Sequence, residues 1–142
     1  MTTSVTVEEA GPGQFAGIVK AGRHVLSVDE PFSAEGTDTG PGPYEYLVAA
    51  LAACTTMTLR MYVKRKGWAV GRISCVVTHD HVHAEDCADC ESKDVKLDRI
   101  TRTIRVEADL DDERRQRLLD IANKCPVHRT LTSKITVETR LD

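Results

Sequence analysis

Polar and apolar residues alternate through residues 4–8 (Ser-Val-Thr-Val-Glu), through 14–20, and through 23–29 (Arg-His-Val-Leu-Ser-Val-Asp). A period of two marks half-buried strands. Gly11-Pro12-Gly13 and Ala21-Gly22 supply turn chemistry between them, so three leading strands in hairpins are expected. Residues 30–43 hold three of the five prolines and three of the nine glycines and form a loop. The pattern then changes. From Tyr44 to Lys66 there is no Gly or Pro, and Ala, Leu, Met, Glu, Arg and Lys dominate, which predicts a helix. Pro43 suits its first position, and its length would be roughly 35 Å. Residues 47–53 are apolar all round, the mark of a buried central helix. Arg60, Lys64, Arg65 and Lys66 follow closely, leaving the apolar run too short for a bilayer.

After Gly67, residues 68–78 read as a long strand with Gly71 marking a bulge. Residues 79–98 are polar and dense in Cys, His and Asp. Alternation resumes over 99–108, with Ile100, Ile104, Val106 and Ala108 on one face and Thr101, Thr103, Arg105 and Glu107 on the other; Arg102 breaks the apolar face. Asp111 or Asp112 is suited to cap a second helix. Leu118, Ile121, Ala122 and Cys125 fall on one face of it, and Pro126 interrupts it just after Cys125. Residues 134–141 alternate again and predict a closing strand. The order βββ–α–ββ–α–β does not alternate strand with helix, so the class is α+β rather than doubly wound α/β. The length, 142 residues, is that of one domain spanning residues 1–142.

Net charge is −3 and the pI near 5.9, a balance that points to neither nucleic acid nor an anionic membrane. Aromatic residues are 4% of the chain, too sparse for a base-stacking surface. The opening residues lack the basic and apolar regions of a signal peptide, so a cytoplasmic location is expected. There, five cysteines suit reactivity or metal binding better than a disulfide framework.

Cys54 shares a helix face with Leu47, Ala50, Leu51, Thr58 and Met61, and Cys125 ends the apolar face of the second helix. Two readings stand. Both cysteines are small buried hydrophobes, or one is oxidised by a peroxide and the other resolves the sulfenic acid. A thiol needs help to be nucleophilic at neutral pH. Cys54 lies too far along its helix for the dipole to supply it, so a cation is required. Arg23 is the first candidate and Arg129 the second. Glu45 either holds such an arginine in a bidentate pair or is an ordinary first-turn acid. Cys75 lies in an apolar strand and reads as core.

Pro43-x-Glu45-x-Leu-x-Ala-Ala-x-Ala-Ala-Cys54 and the later Cys125-Pro-Val-His-Arg-Thr-Leu131 together resemble the OsmC/Ohr family of osmotically inducible proteins and organic hydroperoxide reductases. The resemblance covers nearly the whole chain. It implies an intertwined homodimer with long central helices backed by sheets and active sites at the subunit interface. It implies that Cys54 attacks the peroxide and that Cys125 resolves it as a disulfide. An arginine from the N-terminal strands, here Arg23, would stabilise the thiolate, and a glutamate, here Glu45, would orient it. A dithiol such as a protein-bound lipoyl group would restore the reduced state, with no metal or flavin required. In the family's peroxidases the glutamate directly follows the proline; here Tyr44 stands there and Glu45 comes one later, a rotation of about 100° on a helix. The apolar wall expected around the thiol is Leu47, Leu51 and Met57, selecting bulky alkyl peroxides.

A second constellation is His79-Asp-His81-Val-His83-Ala-Glu-Asp-Cys87-Ala-Asp-Cys90. On a continuing strand the three histidines share a face, and Cys87-x-x-Cys90 has zinc-knuckle spacing. His81, His83, Cys87 and Cys90 are therefore the candidate ligands of a structural zinc. Redox use of the Cys-x-x-Cys pair, or a plain polar loop, are the other readings. The rival to a peroxidase is accordingly a non-enzymatic metal- or small-ligand-binding stress protein on the same scaffold.

Overall fold

The leading alternation becomes a three-stranded antiparallel sheet, β1 (Thr6–Glu9), β2 (Gly17–Ala21) and β3 (His24–Val28), in the order β1-β2-β3. Val19 sits opposite Val7 on one side and Leu26 on the other, and is buried. The computed structural model describes residues 1–83 and 96–142. The chain divides into two compact units, Met1–Leu47 and Val48–Asp142.

In the first unit the loop after β3 is organised by one carboxylate. Asp29, only 2% exposed, accepts hydrogen bonds from the backbone N–H of Glu30, Thr37 and Thr39 and from the hydroxyls of Thr37 and Thr39, at 2.6 to 3.2 Å. Those bonds hold its carboxyl well below the usual carboxylate range, with the Thr37 and Thr39 hydroxyls the largest causes. A short 3-10 helix, Phe32–Ala34, lies inside the loop. Gly36 passes so close to Glu30 that an added Cβ would lie 1.9 Å from its carbonyl oxygen; no other residue fits there without moving the backbone. The Tyr46 hydroxyl donates to the Ser27 carbonyl.

The predicted helix is α1 (Pro43–Lys66), opened by Pro43. It ends as a Schellman motif. Gly67 takes φ +67°, its N–H donates to Lys64 O at 3.2 Å, and Trp68 N–H donates to Val63 O at 3.0 Å. The Trp68 ring then meets Tyr62 edge-on at 5.5 Å.

In the second unit, β4 (Ile73–His83) and β5 (Lys96–Val106) pair antiparallel, with Cys75 opposite Ile104, Val77 opposite Arg102 and His81 opposite Asp98. The strand expected from residue 68 begins only at Ile73; Trp68 and Val70 pack on the core as irregular chain. α2 (Asp112–Ala122) starts where Asp111 caps it, its side chain accepting from Arg114 N–H at 2.8 Å. Leu59, Tyr62 and Val63 of α1 pack against Leu118, Ile121 and Ala122 of α2. Leu59 is fully buried, worth about 2–3 kcal/mol for such a side chain. Arg114 lies over the Trp68 ring at 4.8 Å, and Arg117 donates to the Tyr62 hydroxyl at 3.0 Å.

Four expectations need correction. Residues 134–141 form no strand: alternation gives a segment two faces, but a strand also needs a neighbour to pair with, and none flanks this one among the described residues. α1 is not buried all round. Within one chain its buried residues are Leu51, Thr55, Leu59, Tyr62 and Val63, one stripe, whereas Met57 and Met61 are 65% and 64% exposed. By length and composition α1 does reach the size of a membrane-crossing helix, contrary to the expectation that its apolar run is too short; its buried stripe packs on α2. Finally, Cys125 is not on α2. The residue before a proline is pushed out of helical geometry, so α2 stops at Ala122 and Cys125, at φ −61° and ψ 141°, becomes the N-cap of a further short helix, α3 (Pro126–Leu131).

Candidate functional site

Capping α3 turns the Cys125 side chain inward. It is wholly buried, and its Sγ accepts a hydrogen bond from His128 N–H at 3.3 Å. The neighbour it meets on α1 is Thr55, whose Oγ1 lies 3.9 Å from Sγ. Thr55 is also fully buried, and its hydroxyl donates to Leu51 O at 2.7 Å. A hydroxyl has one hydrogen and two lone pairs. With the hydrogen on Leu51, Thr55 Oγ1 can only accept from its other neighbours, so the thiol of Cys125 is the donor in their contact.

The second group that Thr55 accepts from is Arg102. Its Nη1 donates to Thr55 Oγ1 at 3.0 Å and to Ala122 O at 3.2 Å, and its Nη2 donates to Asn123 Oδ1 at 2.8 Å. One guanidinium thus ties β5 to α1 and to the end of α2, where a cation also meets the negative end of the helix dipole. The sequence signal of this residue is its interruption of the apolar face of its strand, which marks a charge without naming its partners. A charge placed inward among Ile100, Ile104 and Val106 has to find acceptors.

Cys75 and His128 border the same group. Burial pushes the Cys75 thiol up, opposed by the Arg102 charge, so it stays a thiol; it is half-buried beside the core cluster rather than the core residue expected. Burial, followed by the Arg102 charge, holds the His128 imidazole below its usual range. A cavity of about 450 Å³ reaches this region, lined by Leu51, Ile100, Arg102, Asn123 and His128, with Asp98 on its wall.

Cys54, the residue before Thr55, is half-buried and a free thiol, as Cys125 is. Its helical neighbours Ala50, Met57 and Met61 are exposed. The expected wall therefore splits: Leu51 is buried at 4% exposure, whereas Leu47 and Met57 face outward at 38% and 65%. In the first unit, Arg23 is exposed in the turn between β2 and β3. Glu45 accepts from Gly42 N–H at 2.7 Å through Oε2, the return bond of a capping box. Arg129 is exposed on α3.

Of the four expected zinc ligands, Cys87, Cys90 and the side chain of His83 lie outside the described residues. His81 is described, and it gathers with His79 and Asp98 instead. His79 Nε2 is 2.6 Å and His81 Nδ1 is 3.0 Å from Asp98 Oδ1. The His79 hydrogen bond is the largest cause holding the Asp98 carboxyl below its usual range.

The sequence model of the OsmC-like protein family matches residues 36–140. Several solved structures share the fold. An organic hydroperoxide resistance protein from Elizabethkingia anophelis is 18% identical, with 93% of this chain and 89% of that one covered and a TM-score of 0.68. An OsmC-like protein from Mycoplasma pneumoniae is 18% identical over 92% and 87% of the two chains, with a TM-score of 0.65. The organic hydroperoxide resistance protein OhrB of Bacillus subtilis is 23% identical over 93% and 91%, with a TM-score of 0.60. No curated protein matches the chain.

Proposed function

The chain belongs to the OsmC-like protein family, and from that premise we propose that it is a thiol peroxidase that reduces organic hydroperoxides through Cys54 and Cys125. The observation that carries this reading is the contact between Cys125 Sγ and Thr55 Oγ1. It brings the second motif cysteine to the helix that bears the first, one residue away from it.

The Cys54 thiolate attacks the distal oxygen of the hydroperoxide. An S–O bond forms, the O–O bond breaks, and the leaving alkoxide takes a proton to depart as an alcohol. Cys54 is then a sulfenic acid. The Cys125 sulfur attacks the oxidised sulfur, the S–O bond breaks, water leaves, and a Cys54–Cys125 disulfide forms. A dithiol, with a protein-bound lipoyl group as the physiological class, exchanges with that disulfide and is itself oxidised. Arg23 is the cation that favours the thiolate. Glu45 has one carboxylate oxygen on Gly42 N–H and a second to offer that arginine. No metal or flavin enters these steps.

The working form is a homodimer in the cytoplasm. Support comes from the outward line Ala50, Cys54, Met57 and Met61 on α1, spaced four, three and four residues apart like a coiled-coil seam. A second copy packed along it would wall the thiol with apolar side chains and favour alkyl peroxides.

The test is consumption of cumene hydroperoxide with dithiothreitol by wild type, Cys54→Ser and Cys125→Ser. Turnover should vanish in Cys54→Ser, and Cys125→Ser, oxidised by one equivalent of peroxide before dithiothreitol is added, should hold a Cys54 sulfenic acid in place of the Cys54–Cys125 disulfide of wild type. Folded, reduced wild-type protein without turnover above the uncatalysed rate would refute the reading.

A further inference from the structure

We infer that His79, His81 and Asp98 form a binding site for a divalent transition cation of the Zn²⁺ type, at the edge of the cavity that reaches Arg102. The inference is independent of the peroxidase reading.

The site is built by the sheet. His79 and His81 are two residues apart on β4, so their side chains leave the same face. Register places Asp98 of β5 directly opposite His81, with His79 its diagonal neighbour. Cross-strand partners of this kind share a face and lie within side-chain reach. The intervening pair, Asp80 and Arg99, belongs to the other face, where Arg99 Nη2 comes to 4.0 Å of Asp80 Oδ2.

The donors converge. One nitrogen from each histidine and one oxygen of Asp98 all lie within 4.8 Å of one another, with Asp98 Oδ1 2.6 Å from His79 Nε2 and 3.0 Å from His81 Nδ1. The two rings stand edge to face, centroids 4.9 Å apart, so neither blocks the other's approach to a common point. Around a tetrahedral ion with bonds of about 2.0–2.1 Å, neighbouring ligand atoms sit roughly 3.3 Å apart. The triangle needs only small side-chain rotations to reach that spacing. His79 is the anchored member, its side chain 10% exposed, whereas His81 and Asp98 are 60% and 64% exposed and can adjust.

The donor set selects the ion. Two imidazoles and one carboxylate suit Zn²⁺ and its first-row neighbours, whereas Mg²⁺ and Ca²⁺ prefer all-oxygen shells. Without metal, the ring nitrogens facing Asp98 donate their hydrogens to it. On binding, each ring moves its hydrogen to the far nitrogen or releases it, and the near lone pair takes the ion. Among the described residues three ligands converge, and a tetrahedral ion has a fourth position to fill. Asp98 also lines the cavity with Ile100 and Arg102, so an oxygen ligand can reach that position from inside. Arg102, two positions beyond Ile100 on this face of β5, is tied to Thr55, Ala122 and Asn123.

The experiment titrates reduced, metal-free full-length protein with Zn²⁺ against a chromophoric chelator. Wild type is compared with His81→Ala, Asp98→Asn and a Cys87→Ser/Cys90→Ser double variant. The first two changes fall on exposed side chains, and thermal melts check that each variant folds. Wild type should bind one ion, and affinity should fall about tenfold or more in both His81→Ala and Asp98→Asn, whether or not the cysteine pair also contributes. Imidazole resonances give a second readout: those of His79 and His81 should shift with Zn²⁺ while those of His24 stay. No binding by wild type overturns the inference. So does wild-type affinity in His81→Ala and Asp98→Asn, with binding lost only in the cysteine variant.

Discussion

Replacing Arg102 by methionine keeps the unbranched apolar stem and removes the guanidinium. Three hydrogen bonds are lost: to Thr55 Oγ1 at 3.0 Å, to Ala122 O at 3.2 Å and to Asn123 Oδ1 at 2.8 Å. Charge-assisted bonds are worth about 1.5–3 kcal/mol each when fully buried. Arg102 is only half-buried and borders the cavity, so water can replace part of the lost bonding, at Asn123 most easily. Thr55 keeps its donation to Leu51 O. Ala122 O keeps the Cys125 N–H at 3.2 Å, so no acceptor is orphaned, and the residual cost, about 3 kcal/mol, is that of the lost charge-assisted bonds. For a chain of this size that lowers Tm by about 10 °C. Arg102→Lys retains the charge but offers a point donor in place of a planar fork, and should recover only about a third of the loss. Urea unfolding of the three proteins measures this directly. A cycle with Asn123→Ala should return a coupling of about 1 kcal/mol for the Nη2–Oδ1 contact. A methionine variant within about 0.5 kcal/mol of wild type would refute the assignment of Arg102 as the tie between β5, α1 and α2.

Asp29→Asn should destabilise the protein at neutral pH, because an amide cannot accept from all five donors. The Asp29 carboxyl lies below its unfolded-state value, so its contribution is whole above pH ~4 and is lost progressively as the pH falls below that. The gap in urea midpoint between wild type and Asp29→Asn should therefore narrow on acidification; a gap that widens would contradict the geometry. Leu59→Ala removes a fully buried side chain from the contact between α1 and α2, and should cost about 3–4 kcal/mol in urea unfolding.

Much of the architecture could be read from local pattern. Alternation located all three leading strands, and the run free of Gly and Pro gave α1 with Pro43 and Lys66 at its ends. Asp111 was legible as a cap because capping is a local act. What escaped depends on partners. Cys125 has the right spacing for the face of α2, yet the proline after it sets its backbone and turns it into a cap. Arg102 was visible as a break in the pattern, but Thr55 and Asn123 became its acceptors only through packing of elements far apart in the chain. Glu45 fitted two roles by sequence, and the structure engages it with Gly42. The trio of His79, His81 and Asp98 depended on the register of β4 against β5. Residues 134–141 show the reverse case: a strand's pattern without a ladder to join.

The loop between β3 and α1 has one further property. All five donors from Glu30, Thr37 and Thr39 end on the same carboxylate. Backbone bonds such as Asp38 N–H to Glu30 O and Asp29 N–H to Pro41 O, and the Ser27 hydroxyl on Thr39 O, pin the loop elsewhere. Both threonines, however, depend on the one carboxylate, so losing Asp29 releases their hydroxyls and amides together and loosens the stretch from Thr37 to Thr39 in a single event.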